Sequence, residues 1–255
     1  MPRCPGSVVP VRGRKARGSG YIGSTPPARV GVGGKVHPRG DCSRAMDGCR
    51  IDYLSLSQSE TMPDFFDSAY RGGAPPWDIG RPQKEFVELV KRGEIQGSVL
   101  DIGCGTGEHA LFFAREGYEV WGVDSAPAAI GKAKAKAGER GLMVNFLVMD
   151  VLELHKLNRT FDTATDSGLF HTLSDGDRLK FVKSLASVLE PGGKYFMLAF
   201  SELEPPGYGP RRVTQQEIRD TFRDGWTVNY IRPATFESRT RTLGPRAWLS
   251  SITRK

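Results

Sequence analysis

The sequence predicts an α/β fold: a doubly wound, mostly parallel sheet with helices on both faces. Three observations lead there. Short apolar stretches alternate with helix-like stretches from about residue 82 to the end. The apolar run Val99–Ile102 feeds directly into the glycine turn GCGTG. The last two apolar stretches are separated only by residues 238–245, which marks an antiparallel hairpin at one end of the sheet. Strands that alternate with helices call for parallel pairing through right-handed crossovers.

The elements follow in order. Phe86, Val87, Leu89 and Val90 mark a helical stretch after Pro82, and Gly97 ends it. Residues 98–102 form a short buried strand, and residues 108–116 a helix that stops at Gly117. Residues 118–123 form a second strand. Residues 126–140 form a helix with Pro127 in its first turn and Gly141 as its cap. Residues 142–149 and 161–167 read as the third and fourth strands. Residues 177–189 are amphipathic through Leu179, Phe181, Val182, Leu185 and Val188, and Pro191-Gly192-Gly193 breaks that helix. Residues 195–200 are a strongly apolar strand. Thr214 and Glu217 form a capping-box pattern for a helix to Phe222. Residues 226–236 and 246–253 supply the hairpin.

Charge separates this body from what precedes it. The chain carries a formal net charge of +7, but residues 1–50 hold ten Lys/Arg against two Asp/Glu, and the remainder is nearly neutral. The same fifty residues contain ten Gly and six Pro, with scattered apolar residues. Such a segment buries too little surface to offset its ordering entropy. Residues 1–60 are therefore expected to be a disordered basic extension, and 61–255 the folded domain. Met46 and Met62 are both candidate start residues. The near-neutral body argues against nucleic acid as a partner. No apolar run is long enough for a membrane helix. Cys4, Cys42 and Cys49 match no metal spacing, so no metal is expected, and free cysteines suit a reducing cytoplasm.

In a parallel sheet, ligands bind beyond the C-terminal strand ends where strand order reverses. Gly103, Gly105 and Gly107 would let the backbone approach such a ligand closely. A dinucleotide site would need G-x-G-x-x-G, but the third position after Gly105 is Glu108, which faces a pyrophosphate badly. The other ligand of this design is S-adenosylmethionine, whose cationic end suits Asp101. Asp124 ends the second strand and can accept both ribose hydroxyls. Asp150 ends the third and can accept from an adenine amino group. Each alone has a plainer reading as a helix cap.

The motifs VLDIGCGTG, VWGVDS, VMDV, FDTATDSG and LEPGGKYFML together resemble class I S-adenosylmethionine-dependent methyltransferases, over roughly residues 65–255. The resemblance implies a seven-stranded sheet of order 3-2-1-4-5-7-6 with the last strand antiparallel. It implies that Asp101 and Gly103 to Gly107, Cys104 included, lie near the methionine part. Asp124 with Ser125 would serve the ribose, Asp150 with Val151 the adenine. Asp166 would stand where cofactor and substrate meet, and S-adenosylhomocysteine would be the product. The segment YRGGAPPWDIGRPQ, residues 70–83, is similar to the entry segment of thiopurine-methyltransferase-like enzymes, above all the mycobacterial enzymes that methylate heterocyclic and quinone-like aromatics. There Tyr70 and Trp77 would close the site over the cofactor.

Methyl transfer mainly requires alignment and exclusion of water. A base is needed only for a poorly acidic acceptor. His171, just after the fourth strand, is the best-placed candidate base; the alternative is a histidine that orients a loop. Cys104 reads as a small packing residue of the turn. The proline-rich segment 201–214 reads as a substrate-selecting cover, with Tyr208 and Arg211 as acceptor contacts. The expected activity is methylation of an oxygen or nitrogen of a small aromatic or heterocyclic acceptor. An RNA or protein methyltransferase and a nicotinamide-dependent oxidoreductase are the alternatives.

Overall fold

The computed structural model describes residues 61–207 and 209–255. The basic extension and Tyr208 lie outside the described residues. Seven strands form one sheet: β1 (Val99–Ile102), β2 (Val120–Asp124), β3 (Asn145–Val148), β4 (Phe161–Ser167), β5 (Leu189–Phe200), β6 (Trp226–Thr235) and β7 (Arg246–Arg254). Their order is β3-β2-β1-β4-β5-β7-β6. β1 to β5 pair in parallel, and β7 runs antiparallel to both β5 and β6. Sheet order and the reversed last strand are those implied by the resemblance.

All four residues of β1 are buried, because a strand flanks it on each side and a layer covers each face. Alternation divides these residues between two cores. Leu100 and Ile102 pack with Phe161, Phe181 and Tyr195, whereas Val99 packs with Phe86, Phe113, Phe196 and Leu198. Among the described residues six helices complete the layers: α1 (Met62–Arg71), α2 (Lys84–Lys91), α3 (Glu108–Arg115), α4 (Pro127–Arg140), α5 (Asp175–Ala186) and α6 (Gln215–Thr221). Thr214 and Glu217 form the capping box expected of α6.

Three features depart from the sequence reading. The helix α1 was not anticipated. Thr61 caps it and forms a capping box with Asp64, with Pro63 in the first turn. Pro191-Gly192-Gly193 does not simply end a helix; it lies within β5. There the pairing with β4 shifts from Phe161↔Leu189 to Thr163↔Lys194, and the extra residues bulge out. In α5, which begins at Asp175, Leu179 faces solvent rather than the core, at 62% exposure.

Helix α1 and the loop after it lie against the C-terminal ends of the strands. The Ala128 amide at the start of α4 donates to Asp67 at 2.7 Å. Lys132 of α4 donates to the carbonyls of Tyr70 and Gly73 at 2.5 and 2.7 Å. From the other side, Arg81 makes a two-pronged ion pair with Glu237 at 2.9 and 3.0 Å, and the Arg239 amide donates to the Pro76 carbonyl at 2.9 Å. The β6–β7 connection thus holds the far end of the segment.

Candidate functional site

A cavity of about 370 Å³ opens at the strand ends. Its walls come from α1 and its loop (Met62, Phe66, Tyr70, Trp77), the ends of β1 to β3 (Gly103, Asp124, Ser125, Asp150, Val151), and the turn after β4 (Gly168, Leu169, His171). Phe200, Pro210 and Phe236 close the remaining side.

The glycine turn is shaped by close packing. Gly105 has φ +53°, and a Cβ there would lie 2.6 Å from the Tyr70 hydroxyl. Gly107 has φ +83°, and a Cβ there would lie 2.7 Å from the Phe146 ring. Asp124 ties the turn to β2: one oxygen accepts from the Gly105 amide at 2.8 Å, the other from the Ala126 amide at 2.9 Å. Burial raises the Asp124 pKa, and these two amides oppose the shift. Each oxygen keeps a second lone pair, and Asp124 faces the cavity.

Asp150 accepts from the Leu152 amide at 2.9 Å and caps the 3₁₀ turn Val151–Leu157. Asp150, Val151 and Leu152 line one end of the cavity together, a carboxylate beside an apolar surface. Asp101 lies outside the lining. Its Oδ1 accepts from the Thr165 hydroxyl at 2.9 Å, and its buried Oδ2 has no partner among the described residues. Burial pushes its pKa up to about 7. A cavity-facing carboxylate, an apolar shelf with a polar edge and an orphaned carboxylate oxygen behind the turn are groups of the kind that the ribose, adenine and amino group of S-adenosylmethionine would require. Cys104 is buried in the turn, its pKa driven up by burial. At the start of α3, Glu108 is held by Lys136 at 2.7 Å and by Arg140 at 2.9 and 3.1 Å. A carboxylate therefore occupies the place where a pyrophosphate would need cations.

The segment over the site is bonded to it. Trp77 Nε1 donates to the Tyr70 hydroxyl at 2.9 Å, and the Thr106 hydroxyl donates to Asp78 at 3.0 Å. Burial raises the Tyr70 pKa well above its ordinary value, with Asp124 adding to the shift. Trp77 also meets Phe66 edge to face at 5.8 Å.

Asp101, Cys104, Gly105 and Gly107 sit behind the cavity wall, and three further sequence-based candidates stand elsewhere or cannot be placed. Asp166 is fully buried, and its oxygens accept from the Leu169 amide at 2.7 Å, the Phe170 amide at 2.9 Å and the Tyr195 hydroxyl at 2.8 Å. The register explains this: Asp101 pairs with Thr165 and Ile102 with Asp166, so the two acids face opposite layers. Asp166 shapes the turn that carries His171 and does not line the cavity. Burial raises its pKa to about 6. Arg211 is ion-paired with Asp175 and Glu217 and is likewise absent from the lining. Tyr208 is outside the described residues.

His171 does line the cavity. Its Nδ1 accepts from the Phe200 amide at 3.1 Å. Its ring meets Phe200 at 4.9 Å and Phe236 at 6.1 Å, and those two meet each other at 5.3 Å. Burial, with Arg178 and Arg212 nearby, lowers its pKa to about 3. Phe200 and Phe236 were not read from the sequence as site residues. The only signal was their position at the ends of two strands. Among the described residues no cluster could hold a metal ion, and no helix is long and apolar enough to cross a membrane.

Comparison with known proteins agrees with this fold. Residues 99–193 match the methyltransferase-domain family. Over 186 residues the chain is 39% identical to the 2-heptyl-1-hydroxyquinolin-4(1H)-one methyltransferase of Mycobacteroides abscessus, covering 69% of this chain and 82% of that one. A solved structure concerning conversion of a disulfide bond into a thioacetal group during echinomycin biosynthesis is 36% identical. It has a TM-score of 0.71 over 76% of this chain and 93% of the other. The fold is shared with the Burkholderia thailandensis 1,6-didemethyltoxoflavin-N1-methyltransferase, solved with 1,6-didemethyltoxoflavin and S-adenosylhomocysteine bound. That protein is 20% identical, with a TM-score of 0.60 over 76% of this chain and 87% of the other.

Proposed function

Because the chain belongs to the class I methyltransferase family, we propose that it transfers a methyl group from S-adenosylmethionine to an oxygen or nitrogen of a small aromatic or heterocyclic acceptor. The observation that carries the acceptor class is the aromatic wall of His171, Phe200 and Phe236, in the same cavity as Asp124 and Asp150. Flat rings gain edge and stacking contacts there beyond simple burial. The similarity to a hydroxyquinolinone methyltransferase supports the same class.

The cofactor supplies a methyl group already activated by a positive sulfur. Everything else falls to this chain. Asp124 and Asp150 would hold the two ends of the adenosine, and Asp101, buried behind the glycine turn, would supply negative charge to the cationic end. The segment from Tyr70 to Arg81, with its Gly-rich start and Pro75-Pro76 ahead of Trp77, covers the site and keeps water from the reacting atoms. The aromatic wall orients the acceptor, because alignment is the larger part of the barrier in such a displacement.

The test is a panel of hydroxylated aromatics and nitrogen heterocycles offered with methyl-labelled S-adenosylmethionine. Label in a small acceptor is expected. Label only in RNA or protein would overturn the acceptor class. Failure of calorimetry to detect S-adenosylmethionine binding to the folded protein would overturn the cofactor.

A further inference from the structure

Building on the reading of this cavity as a small-molecule methyltransferase site, we propose that His171 is locked as a hydrogen-bond donor toward the acceptor. The pocket then selects aromatic acceptors that arrive already ionised at oxygen, not ones whose proton the protein must remove.

The backbone fixes the tautomer. The Phe200 amide N–H points at Nδ1 from 3.1 Å, so Nδ1 is the bare nitrogen. A neutral imidazole carries one proton, which therefore sits on Nε2. Nε2 has no hydrogen-bond partner among the described residues and belongs to a side chain that lines the cavity. For His171 to take a proton from the acceptor, Nε2 would have to be bare. In the neutral ring that puts an N–H on Nδ1 against the Phe200 N–H, two donors facing each other in a buried place. Holding both protons instead makes an imidazolium among aromatic rings.

The charged groups around the ring point the same way. Arg178 from α5 and Arg212 from the segment after β5 both disfavour a positive imidazole. Arg178, which also faces Glu217 at 3.5 Å, stacks on Phe170, the neighbour of His171 in sequence, at 4.5 Å, and Arg212 stacks on Phe200 of the aromatic wall at 5.6 Å. Two cations that repel an imidazolium attract an oxyanion, and an N–H bond to an oxyanion is stronger than one to a neutral oxygen. The neighbouring carboxylates are engaged. Asp166 accepts from two amides and the Tyr195 hydroxyl, and Asp177 is bonded to Ser174 and Lys180. The transfer balances without a base. A lone pair of the acceptor oxyanion forms the new C–O bond as the C–S bond breaks toward sulfur, leaving a neutral methyl ether and a neutral thioether.

Three measurements test this on the full chain. With ¹⁵N-histidine labelling, the His171 ring should show a protonated Nε2 and a bare Nδ1, unchanged between about pH 5 and 8. A titration in that range, or the opposite tautomer, overturns the proposal whether or not any acceptor is methylated. Second, phenol, 4-cyanophenol and 4-nitrophenol share a shape but ionise at successively lower pH. The rising limb of kcat/KM against pH should move with the phenol; a limb common to all three marks a base in the protein and overturns it. Third, His171→Gln keeps an acceptor and a donor but cannot serve as a base, whereas His171→Phe keeps only the ring. A donor role predicts a loss within about tenfold for Gln and a deeper loss for Phe. A loss of about 10²- to 10⁴-fold in the Gln variant, with S-adenosylmethionine affinity intact, is the signature of a missing base. If none of the phenols or heterocycles is methylated, the acceptor class fails, while the nitrogen spectrum still decides the tautomer.

Discussion

Replacing Asp124 with Asn separates two jobs of one carboxylate. In the native chain its oxygens accept from the Gly105 amide at 2.8 Å and the Ala126 amide at 2.9 Å, each retains a second lone pair, and the residue lines the cavity. Asn has one carbonyl oxygen, so one of these amides meets an NH₂ group. The site is 8% exposed, and water does not replace the lost partner. Leaving one buried donor unpaired costs about 1–3 kcal/mol. At about 2–4 °C per kcal/mol for a domain of this size, the thermal midpoint should fall by several degrees, on the order of 5 °C. Loss of the charged acceptor for the ribose should cost about 1.5–3 kcal/mol more in binding, roughly ten- to a hundred-fold in affinity. Differential scanning fluorimetry reads the first effect, and calorimetry with S-adenosylhomocysteine at a temperature where the variant is folded reads the second. A lower midpoint with unchanged affinity would refute the ribose assignment. An unchanged midpoint would show that Asp124 does not hold the glycine turn.

Other perturbations have equally defined outcomes. Trp77→Phe keeps a ring edge against Phe66 but removes the 2.9 Å hydrogen bond to Tyr70, a net loss of about 0.5–1.5 kcal/mol; turnover should weaken, and hydrogen exchange at residues 70–81 should slow when cofactor binds. Identical exchange with and without cofactor would reduce the segment to packing. Asp101 titrates near about 7 in the fold against an ordinary 3.8, so the stability its proton brings is complete below the lower value and lost as pH rises through the upper one. Asp101→Asn fixes the neutral form: ligand-free variant and wild type should diverge with rising pH, the variant being the more stable at about pH 8, and parallel denaturation curves would contradict this. Glu108→Gln weakens the hold of Lys136 and Arg140 on α3. Because Arg140 is 43% exposed, solvent screens part of that loss, and a destabilisation of about 1–2 kcal/mol is expected in urea titrations. Deleting residues 1–50 should leave the thermal midpoint and cofactor affinity nearly unchanged; a large fall would show that the extension packs on the domain.

What the sequence determined by itself is what depends on neighbours in the chain. Alternating periods set the strands and helices, and Thr214 with Glu217 set the start of α6. Asp124 ends its strand and Asp150 follows its strand by two residues, both beside one cavity, because the C-terminal ends of parallel strands share one edge of the sheet. The start of α1 is also written locally, in Thr61, Pro63 and Asp64, though the segment lacks a long apolar period.

Tertiary structure alone decided how side chains pair across distant segments. Asp166 stands next to the end of its strand, whereas Asp124 ends its own, and the register puts Asp166 on the opposite face, where it accepts from the Leu169 and Phe170 amides and Tyr195. Arg211 became an ion-pair partner for Asp175 and Glu217. The aromatic wall joins the turn after β4 to the ends of β5 and of the β6 stretch, brought together only because β7 turns back between them. His171 shows the difference most sharply. Its residue type announces a group that can gain or lose a proton near neutrality. Which nitrogen holds the proton was set by the Phe200 amide, 29 residues along the chain. The reason is physical: local geometry follows from backbone preferences a few residues long. A side chain's charge and hydrogen-bond state follow from burial and from partners that only folding brings within about 3 Å.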